Sequence, residues 1–275
     1  MKKLAIMTSV LALTALVSAS AFADDCKPAA AVKTVTPGKL TVGVDNYPPF
    51  AAITPDNQAS GIDVLMVQTV AKQNCLEFVP VNLAPAATIQ AVISGKSDIA
   101  VGAWYRSEDR SKVLGLSAPT YIDPMTVISK DGINTIDGMM GKKVGTVTGY
   151  VWNADLLKLL GDNFKTYPDE QTLNQDLEAN RIDVGLDGNS GPVEAQKAGR
   201  LKGFKLMIAK PDERVGSSVA APQSALLYTK DNTSLGKAID GAIASMRKDG
   251  SLEQAVKDVG YDPAILNVGE PRLVK

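Results

Sequence analysis

Residues 98–110 have the sequence DIAVGAWYRSEDR, and this segment indicates the type of fold. The apolar run Ile99–Val101 is typical of a short strand that is buried on both faces. We expect the strand to end near Gly102. In open α/β sheets, small ligands bind in the crevice at the carboxyl ends of the strands. Residues 103–110 are therefore predicted to form a ligand-binding loop.

This loop carries two aromatic residues and two arginines. Arg110 has a rigid set of N–H donors that suits bidentate contact with a carboxylate. The spacing leaves two interpretations open, because Arg110 could equally pair with Glu108 or Asp109 on the surface. Trp104 and Tyr105 could likewise be core residues or could contact a second part of the protein.

The composition argues against several classes of function. The chain of 275 residues has 29 Lys and Arg against 30 Asp and Glu, and it contains no histidine. Without a basic face to bind phosphate backbones, nucleic acid is not an expected partner. The lack of histidine removes the commonest general base and metal ligand, so we expect neither a metal nor a cofactor.

The N-terminal sequence predicts export. Lys2 and Lys3 precede the apolar run Leu4–Val17, and the segment AFA at 21–23 has small residues at the two positions that signal peptidase recognises. We interpret residues 1–23 as a cleaved signal peptide.

The two cysteines, Cys26 and Cys75, both lie in the exported part. An even number of cysteines in an oxidising compartment favours a disulfide, which would join the N-terminal arm, residues 24–38, to the end of the first helix. Two cysteines without histidine are not expected to form a metal site. The acidic residues before Cys26 do not fit a lipid anchor.

The hydrophobic pattern predicts two α/β units. Residues 39–102 alternate as β-α-β-α-β, which favours a parallel sheet with right-handed crossovers. The alternation of helices and strands begins again at 136–147. Residues 181–186 repeat the pattern around Asp98, in which a helix is followed by a basic residue, an Asp and an apolar strand. Asp187 then opens a polar loop. We expect two lobes whose strands end at a common cleft.

The segment DNYPPF at 45–50 follows the first strand. Its two prolines exclude both a strand ladder and a helix interior, so Tyr47 and Phe50 are expected on a stiff loop. The role of Asp45 stays open, because it would favour a cationic ligand only if it faces the pocket.

Several short segments occur along the chain in a particular order. They are LTVGV at 40–44, YPPF at 47–50, GIDV at 61–64, GKSD at 95–98, SEDR at 107–110, SAPTY at 117–121, GKKVG at 141–145, NRID at 180–183, Asp187 and KDGS at 248–251. Over residues 39–262, the chain thereby resembles the family 3 extracellular solute-binding proteins, the amino-acid-binding components of bacterial ABC importers.

The resemblance implies an α/β, two-lobed periplasmic binding protein fold (type II), in which each lobe is a mainly parallel sheet flanked by helices. Lobe 1 would comprise 39–127 and 223–262, lobe 2 would comprise 128–222, and 263–275 would form a C-terminal tail. The lobes would close around the ligand by a hinge motion. The protein would be a periplasmic monomer that delivers an amino acid to a permease of an ABC transporter in the inner membrane.

The resemblance also assigns the residues that bind the ligand's α-carboxylate. Arg110 would bind it, with help from the Ser107 hydroxyl and from the backbone N–H of Val151 near a helix N-terminus. Asp63 is interpreted as a structural brace near the cleft and not as a ligand contact.

A second group of residues would bind the α-ammonium. Asp187 would accept its hydrogen bonds together with the carbonyl of Gly102 and backbone groups around Tyr105, while Tyr47 would stack over the ligand. The alternative for Asp187 is a cap of the helix predicted at 191–198.

Large side chains distinguish this chain from the family pattern. Trp104, Tyr105 and Arg106 replace small or hydroxyl residues, and Tyr150 and Trp152 replace Thr and Gln or Glu. They predict either a small pocket or one for an aromatic or cationic ligand, unless the tryptophans point into their own lobes. Arg106 would either select an acidic side chain or face solvent.

Three functions fit these observations. The first is capture of an amino acid, or a close derivative, for an ABC importer. The second is a cyclohexadienyl dehydratase acting on prephenate or arogenate, for which Asp187 or Asp45 would protonate the leaving hydroxyl. The third is a ligand sensor. Because Asp187 is better explained as the ammonium acceptor, we expect a binding protein and no catalytic residue.

Overall fold

The structure is a computed structural model that describes residues 26–274, so the predicted signal peptide lies outside the described residues. The first part of the chain contains β1 (Lys39–Val44), β2 (Ala52–Ile53), β3 (Ala59–Ser60), α1 (Ile62–Gln73), β4 (Glu77–Asn82), α2 (Pro85–Ile93), β5 (Ile99–Val101), α3 (Glu108–Val113) and β6 (Leu114–Leu116). The middle part contains β7 (Met125–Ser129), α4 (Ile136–Met139), β8 (Val144–Val147), α5 (Asn153–Leu160), β9 (Phe164–Tyr167), α6 (Glu170–Glu178), β10 (Val184–Gly188), α7 (Ser190–Lys197), β11 (Lys205–Ile208) and α8 (Gly216–Val219). The last part contains β12 (Leu227–Thr229), α9 (Thr233–Lys248) and α10 (Ser251–Asp258). Within the described range, no helix is both long enough and apolar enough to cross a membrane.

The strands form two five-stranded sheets and one small hairpin of β2 and β3. The first large sheet has the order β4-β1-β5-β12-β6, and the second has the order β11-β7-β10-β8-β9. We call the first sheet with α1, α2, α3, α9 and α10 lobe 1, and the second sheet with α4–α7 lobe 2. The two-lobed α/β fold is thus confirmed, while the exact lobe boundaries given above stay a prediction.

Each sheet is mainly parallel, as expected, but contains one strand of opposite direction: four of its five strands run the same way. β1 runs parallel to β4 and β5, and β8 runs parallel to β9 and β10. β12 is antiparallel to β5 and β6, whereas β7 is antiparallel to β10 and β11. β7 and β12 are the first strands after the chain passes from one lobe to the other. They start beside the carboxyl ends of their neighbours, as the pairing of Met125 with Gly188 shows, and so run in the opposite direction.

Two segments connect the lobes: the first crossing, residues 117–124, and the second crossing, residues 209–226. They touch each other through an isolated antiparallel bridge between Ile122 and Gln223. The carboxyl ends of β5 and β10 therefore lie near the same pair of crossings, and the loops after them face one cleft.

The strand predicted around Ile99–Val101 is confirmed, and all three residues are fully buried. It ends at Gly102, which has a φ of 140°. A Cβ at Gly102 would lie 2.6 Å from the Cβ of Asp45, so a side chain would push apart the loops after β1 and β5. Glycine at this position lets the two loops pack against each other.

The predicted disulfide is also confirmed, since Cys26 is bonded to Cys75. The described part of the arm, residues 26–38, lies on lobe 1. Its Ala29 N–H donates to the carbonyl of Gln73 at 2.8 Å, and its Val35 N–H donates to Asp98 at 2.6 Å. The arm is therefore attached to lobe 1 by hydrogen bonds as well as by the disulfide.

Candidate functional site

A cavity lies between the lobes at the ends of β5, β8 and β10. Its walls combine the loop after β5 with the turn before α5 and with residues near the first crossing. They are Tyr47, Gly102, Ala103, Trp104, Tyr105, Arg110, Asp123, Tyr150, Val151, Trp152 and Gly188. Seven residues from the predicted ligand-binding set, namely Tyr47, Gly102, Trp104, Tyr105, Arg110, Val151 and Trp152, are brought together here.

Arg110 lies in the wall of this cavity and is only 8% exposed. Its guanidinium donates to the carbonyl of Tyr105 at 2.8 Å and to that of Gly149, in lobe 2, at 3.1 Å. The same group lies 5.0 Å above the Trp104 ring. None of the ion pairs among residues 26–274 involves Arg110. Burial lowers its pKa to about 10, so the guanidinium stays charged near neutral pH.

Ser107 supports Arg110 from the start of α3. Its hydroxyl accepts a hydrogen bond from the Arg110 N–H at 3.2 Å and so caps the helix. Ser107 is not among the residues that line the cavity. Its role in the structure is to fix the first turn of α3, which carries Arg110.

Asp63 braces the loop after β5, as the sequence predicts. Its carboxylate accepts hydrogen bonds from the N–H groups of Gly102 and Ala103 at 3.1 and 3.0 Å, and from the Tyr121 hydroxyl at 2.7 Å. Burial raises the pKa of Asp63 to about 6, although these hydrogen bonds lower it in part. All of its contacts are internal to lobe 1 and the first crossing.

Tyr47 connects lobe 1 to the first turn of α7 in lobe 2. Its hydroxyl donates to Asp123 at 3.1 Å and accepts from the Gly191 N–H at 3.1 Å. Asp123 also accepts from the N–H and the hydroxyl of Ser190, at 3.1 and 2.8 Å. Burial raises the pKa of Asp123 to about 6. The sequence analysis did not single out Asp123, whose only local signal is its position directly before Pro124.

Asp187 lies inside β10 and not in the polar loop that was predicted to begin there. It does not cap α7, for which Asn189 holds the N-cap position, so the helix-cap alternative is wrong. Its Oδ1 accepts from its neighbour Gly188 and, at 3.2 Å, from the Tyr150 hydroxyl. Its Oδ2 is buried and has no hydrogen-bond partner among residues 26–274.

Other carboxylates surround Asp187. The Tyr150 hydroxyl lies 2.7 Å from Glu170 as well as 3.2 Å from Asp187, and its single proton can be donated to only one of these carboxylates at a time. Burial raises the pKa of Asp187 well above its ordinary value, and nearby Glu170 and Asp123 raise it further. The pKa of Asp45 is likewise raised, first by burial and then by Glu170 and Asp187.

Asp45 and Glu170 line a wider outer cleft of about 1310 Å³. Tyr47 belongs to the walls of both this outer cleft and the inner cavity. Asp45 is only 3% exposed, and no ion pair among the described residues neutralises it. Glu170 was not identified from the sequence, because nothing local distinguishes it from any other acid at the start of a helix.

The two tryptophans differ in how their indole N–H groups are used. Trp152 donates to the Thr146 hydroxyl at 2.7 Å, inside lobe 2, and its ring packs edge-on against Tyr105 and Tyr150. Trp104 has a buried Nε1 without a partner. Both rings line the cavity, although Trp152 also belongs to the core of lobe 2.

Val151 and Arg106 differ in whether they line the cavity. Val151 lies two residues before α5, lines the cavity, and its N–H makes no hydrogen bond to other described residues. Arg106 lies outside the cavity wall and donates to the carbonyls of Ser117 and Arg272. Of the two alternatives for Arg106, selection of an acidic ligand side chain does not fit the structure, since its guanidinium is bonded to the first crossing and to the C-terminal segment.

The sequences of two amino-acid-binding proteins align with most of this chain. The L-cystine-binding protein TcyJ of Escherichia coli (strain K12) is 30% identical over 254 residues, which cover 88% of this chain and 89% of that protein. The L-arginine-binding protein of Pseudomonas aeruginosa is 27% identical over 268 residues, with 92% and 95% coverage.

Solved structures show the same fold. A substrate-binding protein of an ABC uptake transporter from Streptococcus pneumoniae, with bound histidine, has a TM-score of 0.73 and 19% identity, and covers 84% of this chain and 95% of that one. The arginine-, lysine-, histidine-binding protein ArtJ from Geobacillus stearothermophilus has a TM-score of 0.71 and 18% identity, with 85% and 97% coverage.

A protein-family model matches most of the chain and identifies the family. The model of the bacterial extracellular solute-binding proteins, family 3, matches residues 40–259, which include every wall residue of the cavity. This chain belongs to the bacterial extracellular solute-binding proteins, family 3.

Proposed function

We propose that this protein captures an amino acid in the periplasm and delivers it to the permease of an ABC importer. The observation that carries the proposal is a pair of buried charged groups beside one cavity. Arg110 is part of the cavity wall and has no acidic partner among residues 26–274. Asp187 lies behind the wall residues Tyr150 and Gly188, and one of its carboxylate oxygens receives no hydrogen bond from the described residues. An α-amino acid carries the two groups that would complement them, a carboxylate and an ammonium.

The carboxylate would bind to Arg110 and to the free N–H of Val151. A guanidinium binds a carboxylate through two parallel hydrogen bonds, and the N-terminus of α5 adds a favourable dipole. In the structure, the Arg110 guanidinium donates to the carbonyls of Tyr105 and Gly149. A carboxylate is a stronger acceptor than a carbonyl, so exchange of these partners is favourable.

The ammonium would donate to Asp187 and to the carbonyl of Gly102. A buried carboxylate oxygen without a donor costs about 1 to 3 kcal/mol, and pairing with the ligand would recover this free energy. This contribution depends on the charge of the ligand and therefore separates amino acids from carboxylic acids of the same shape.

The acids of the outer cleft point to a second cationic group on the ligand. Four acids, Asp45, Asp169, Glu170 and Glu194, line the outer cleft together with one basic residue, Arg200. Among the described residues, Arg110 is the only arginine or lysine of the inner wall. L-Arginine has a guanidinium beyond its α-ammonium, and L-cystine has a second ammonium. We propose a ligand that carries a second cationic group, consistent with the names of the relatives, and not an amino acid whose side chain has no positive charge.

Binding, and not catalysis, is the proposed activity. The raised pKa of Asp187 would also suit a general acid of a dehydratase. The relatives that match most of the chain are named as binding proteins. Prephenate and arogenate therefore belong in the same test as the amino acids.

A thermal-shift panel tests the proposal. The exported protein would be heated with L-cystine, L-arginine, L-lysine, L-histidine, L-glutamine, L-glutamate, prephenate or arogenate. Ligand at about a thousand times its Kd stabilises by about 4 kcal/mol, which corresponds to a shift on the order of ten degrees. We expect that shift with a ligand that has a second cationic group, confirmed by calorimetry. A shift with L-glutamate alone would overturn the charge argument, and turnover of prephenate or arogenate would overturn the binding-only proposal.

A further inference from the structure

The C-terminal residues 265–274 run across the junction between the two lobes, and we call this segment the strap. It lies beyond the range matched by the family model, which ends at residue 259. The Ile122 N–H of the first crossing donates to the carbonyl of Ile265 at 2.9 Å. At its far end, Val274 forms an isolated parallel bridge with Ser107. The strap therefore connects a crossing between the lobes to the turn that carries Arg110.

Gln223, in the second crossing, holds the middle of the strap. Its side-chain amide donates to the carbonyls of Val268 and Glu270, both at 2.8 Å, and its side-chain oxygen accepts from the Arg272 N–H at 2.8 Å. Gln223 is 1% exposed. One buried side chain thus satisfies three backbone groups of the strap, and replacing it would leave those groups without partners.

The turn before α3 lies between Gln223 and the strap. The Arg106 N–H donates to the Gln223 carbonyl at 2.8 Å, and the Arg106 carbonyl accepts from the Val274 N–H at 2.9 Å. The Glu108 N–H donates to the Val274 carbonyl at 2.9 Å. The residues on both sides of Ser107, the cap of α3, are thereby held from two directions.

We propose that the strap is a positioning element that presents Arg110 to the ligand. The Arg110 guanidinium sits at the end of a flexible side chain, so its place in the cavity depends on the backbone of the first turn of α3. The strap and Gln223 hold that backbone against the second crossing, which is a segment that must bend when lobes open and close. The role of Arg110 towards a carboxylate rests on the proposed function, whereas the mechanical coupling does not.

Hydrogen exchange of the ligand-free, full-length exported protein tests the coupling. In the unchanged protein, the amides of Glu108 and Val274 should exchange at a common rate, because they belong to one pair of hydrogen bonds and open together. A Glu108 amide that stays protected while Val274 exchanges freely would overturn the proposal.

Two variants and a matched control sharpen the test. Val274→Pro removes the N–H that bonds to Arg106, and Gln223→Leu removes the three contacts of the side chain. Each should speed exchange across residues 106–110 by about fivefold or more, since the typical net worth of one hydrogen bond is about 1 kcal/mol. Leu273→Pro changes the neighbouring residue, whose N–H makes no hydrogen bond to other described residues, and should leave that exchange unchanged.

A spectroscopic readout separates positioning from simple covering of the surface. Trp104 lies under the Arg110 guanidinium. In a Trp152→Phe background, the remaining fluorescence comes from Trp104, and Val274→Pro or Gln223→Leu should make it more accessible to acrylamide. Faster exchange restricted to the strap, with residues 106–110 and Trp104 unaffected, would show that the strap only covers the surface. Because Gln223→Leu leaves the strap backbone intact, it decides the question if Val274→Pro does not fold.

Discussion

The two charged groups beside the cavity are both buried, but their surroundings differ. Arg110 has hydrogen-bond partners in both lobes, since the carbonyls of Tyr105 and Gly149 accept from it. The hydrogen bonds that Asp187 accepts come from Tyr150 and Gly188 in lobe 2, and one of its oxygens has no donor among the described residues. The guanidinium of Arg110 therefore has hydrogen-bond partners within the protein, whereas one carboxylate oxygen of Asp187 has none among the described residues.

Burial also acts on the two groups with opposite consequences near neutral pH. It lowers the pKa of Arg110 only to about 10, so the arginine remains charged. It raises the pKa of Asp187 well above the ordinary value, towards the neutral acid. A ligand carboxylate meets a permanent cation, while a ligand ammonium has to favour the charged form of Asp187. The comparison predicts that the carboxylate contact supplies more affinity and the ammonium contact supplies more discrimination and more pH dependence.

Loss of the Arg110 guanidinium should have the largest effect. Arg110→Ala removes a bidentate charged contact, and the affinity for the amino acid identified by the thermal-shift panel should fall by about 2 to 5 kcal/mol in calorimetry. Arg247→Ala is a control, because Arg247 likewise donates only to carbonyls among the described residues, those of Pro119, Thr120 and Leu266, but lies outside the cavity. Equal affinities of the Arg110 variant and the unchanged protein would remove Arg110 from the binding site.

Replacement of Asp187 should cost less affinity and more selectivity. Asp187→Asn keeps the shape but removes the charge, and we expect a loss of about 1 to 3 kcal/mol for the amino acid. The analogue without the α-amino group should lose much less. Asp183→Asn is the control, since Asp183 lies just before the same strand and binds the Lys143 N–H outside the cavity. The same loss for both ligands would mean that Asp187 does not bind the ammonium.

Acidification should affect ligand affinity and protein stability in opposite directions. Carboxylates with a raised pKa bind an ammonium fully only above that pKa, so affinity should fall as the pH decreases through it. Calorimetry at a series of pH values measures this fall, which is at most about tenfold per pH unit for each proton taken up. Asp187→Asn should flatten this profile. A pH-independent affinity of the unchanged protein would show that these acids do not contact the ligand.

The stability of the ligand-free protein should instead increase on acidification. The pKa values of Asp63 and Asp123 are raised to about 6, above that of an unfolded aspartate. Between pH 7 and pH 5 the folded protein therefore binds more protons than the unfolded chain, and the free energy of unfolding rises as the pH falls. Urea denaturation at the two pH values measures this change, and a decrease would contradict the assigned shifts.

The sequence predicted those features of the site that depend on local pattern. The buried strand Ile99–Val101, the loop after it and Arg110 follow from residues within a single segment. The pairing of Cys26 with Cys75 follows from the cysteine count and the compartment. In each case the physical cause lies close in sequence or in composition.

The remaining features arise when distant segments meet. Asp123 bonds to Tyr47 and Ser190, which are 76 and 67 residues away in the chain. Glu170 reaches Asp187 only through the Tyr150 hydroxyl. The direction of the antiparallel strands β7 and β12 depends on where the chain enters each lobe. The local hydrophobic pattern of a strand does not contain this information.

The smallest effects on affinity and stability are expected from replacing the two tryptophans. The indole N–H of Trp152 has a hydrogen-bond partner, whereas that of Trp104 has none among the described residues. Trp104→Phe removes an indole N–H that has no partner, so the ligand-free protein should lose little stability, whereas affinity should fall by about 1 kcal/mol if the ligand supplies the acceptor. Trp152→Phe removes an N–H that already bonds to Thr146, and it should lower the melting temperature more than Trp104→Phe does. Calorimetry and thermal melts of both variants separate these outcomes. If Trp104→Phe changes neither quantity, its indole N–H faces the cavity without taking part in binding, and the two charged groups alone orient the ligand.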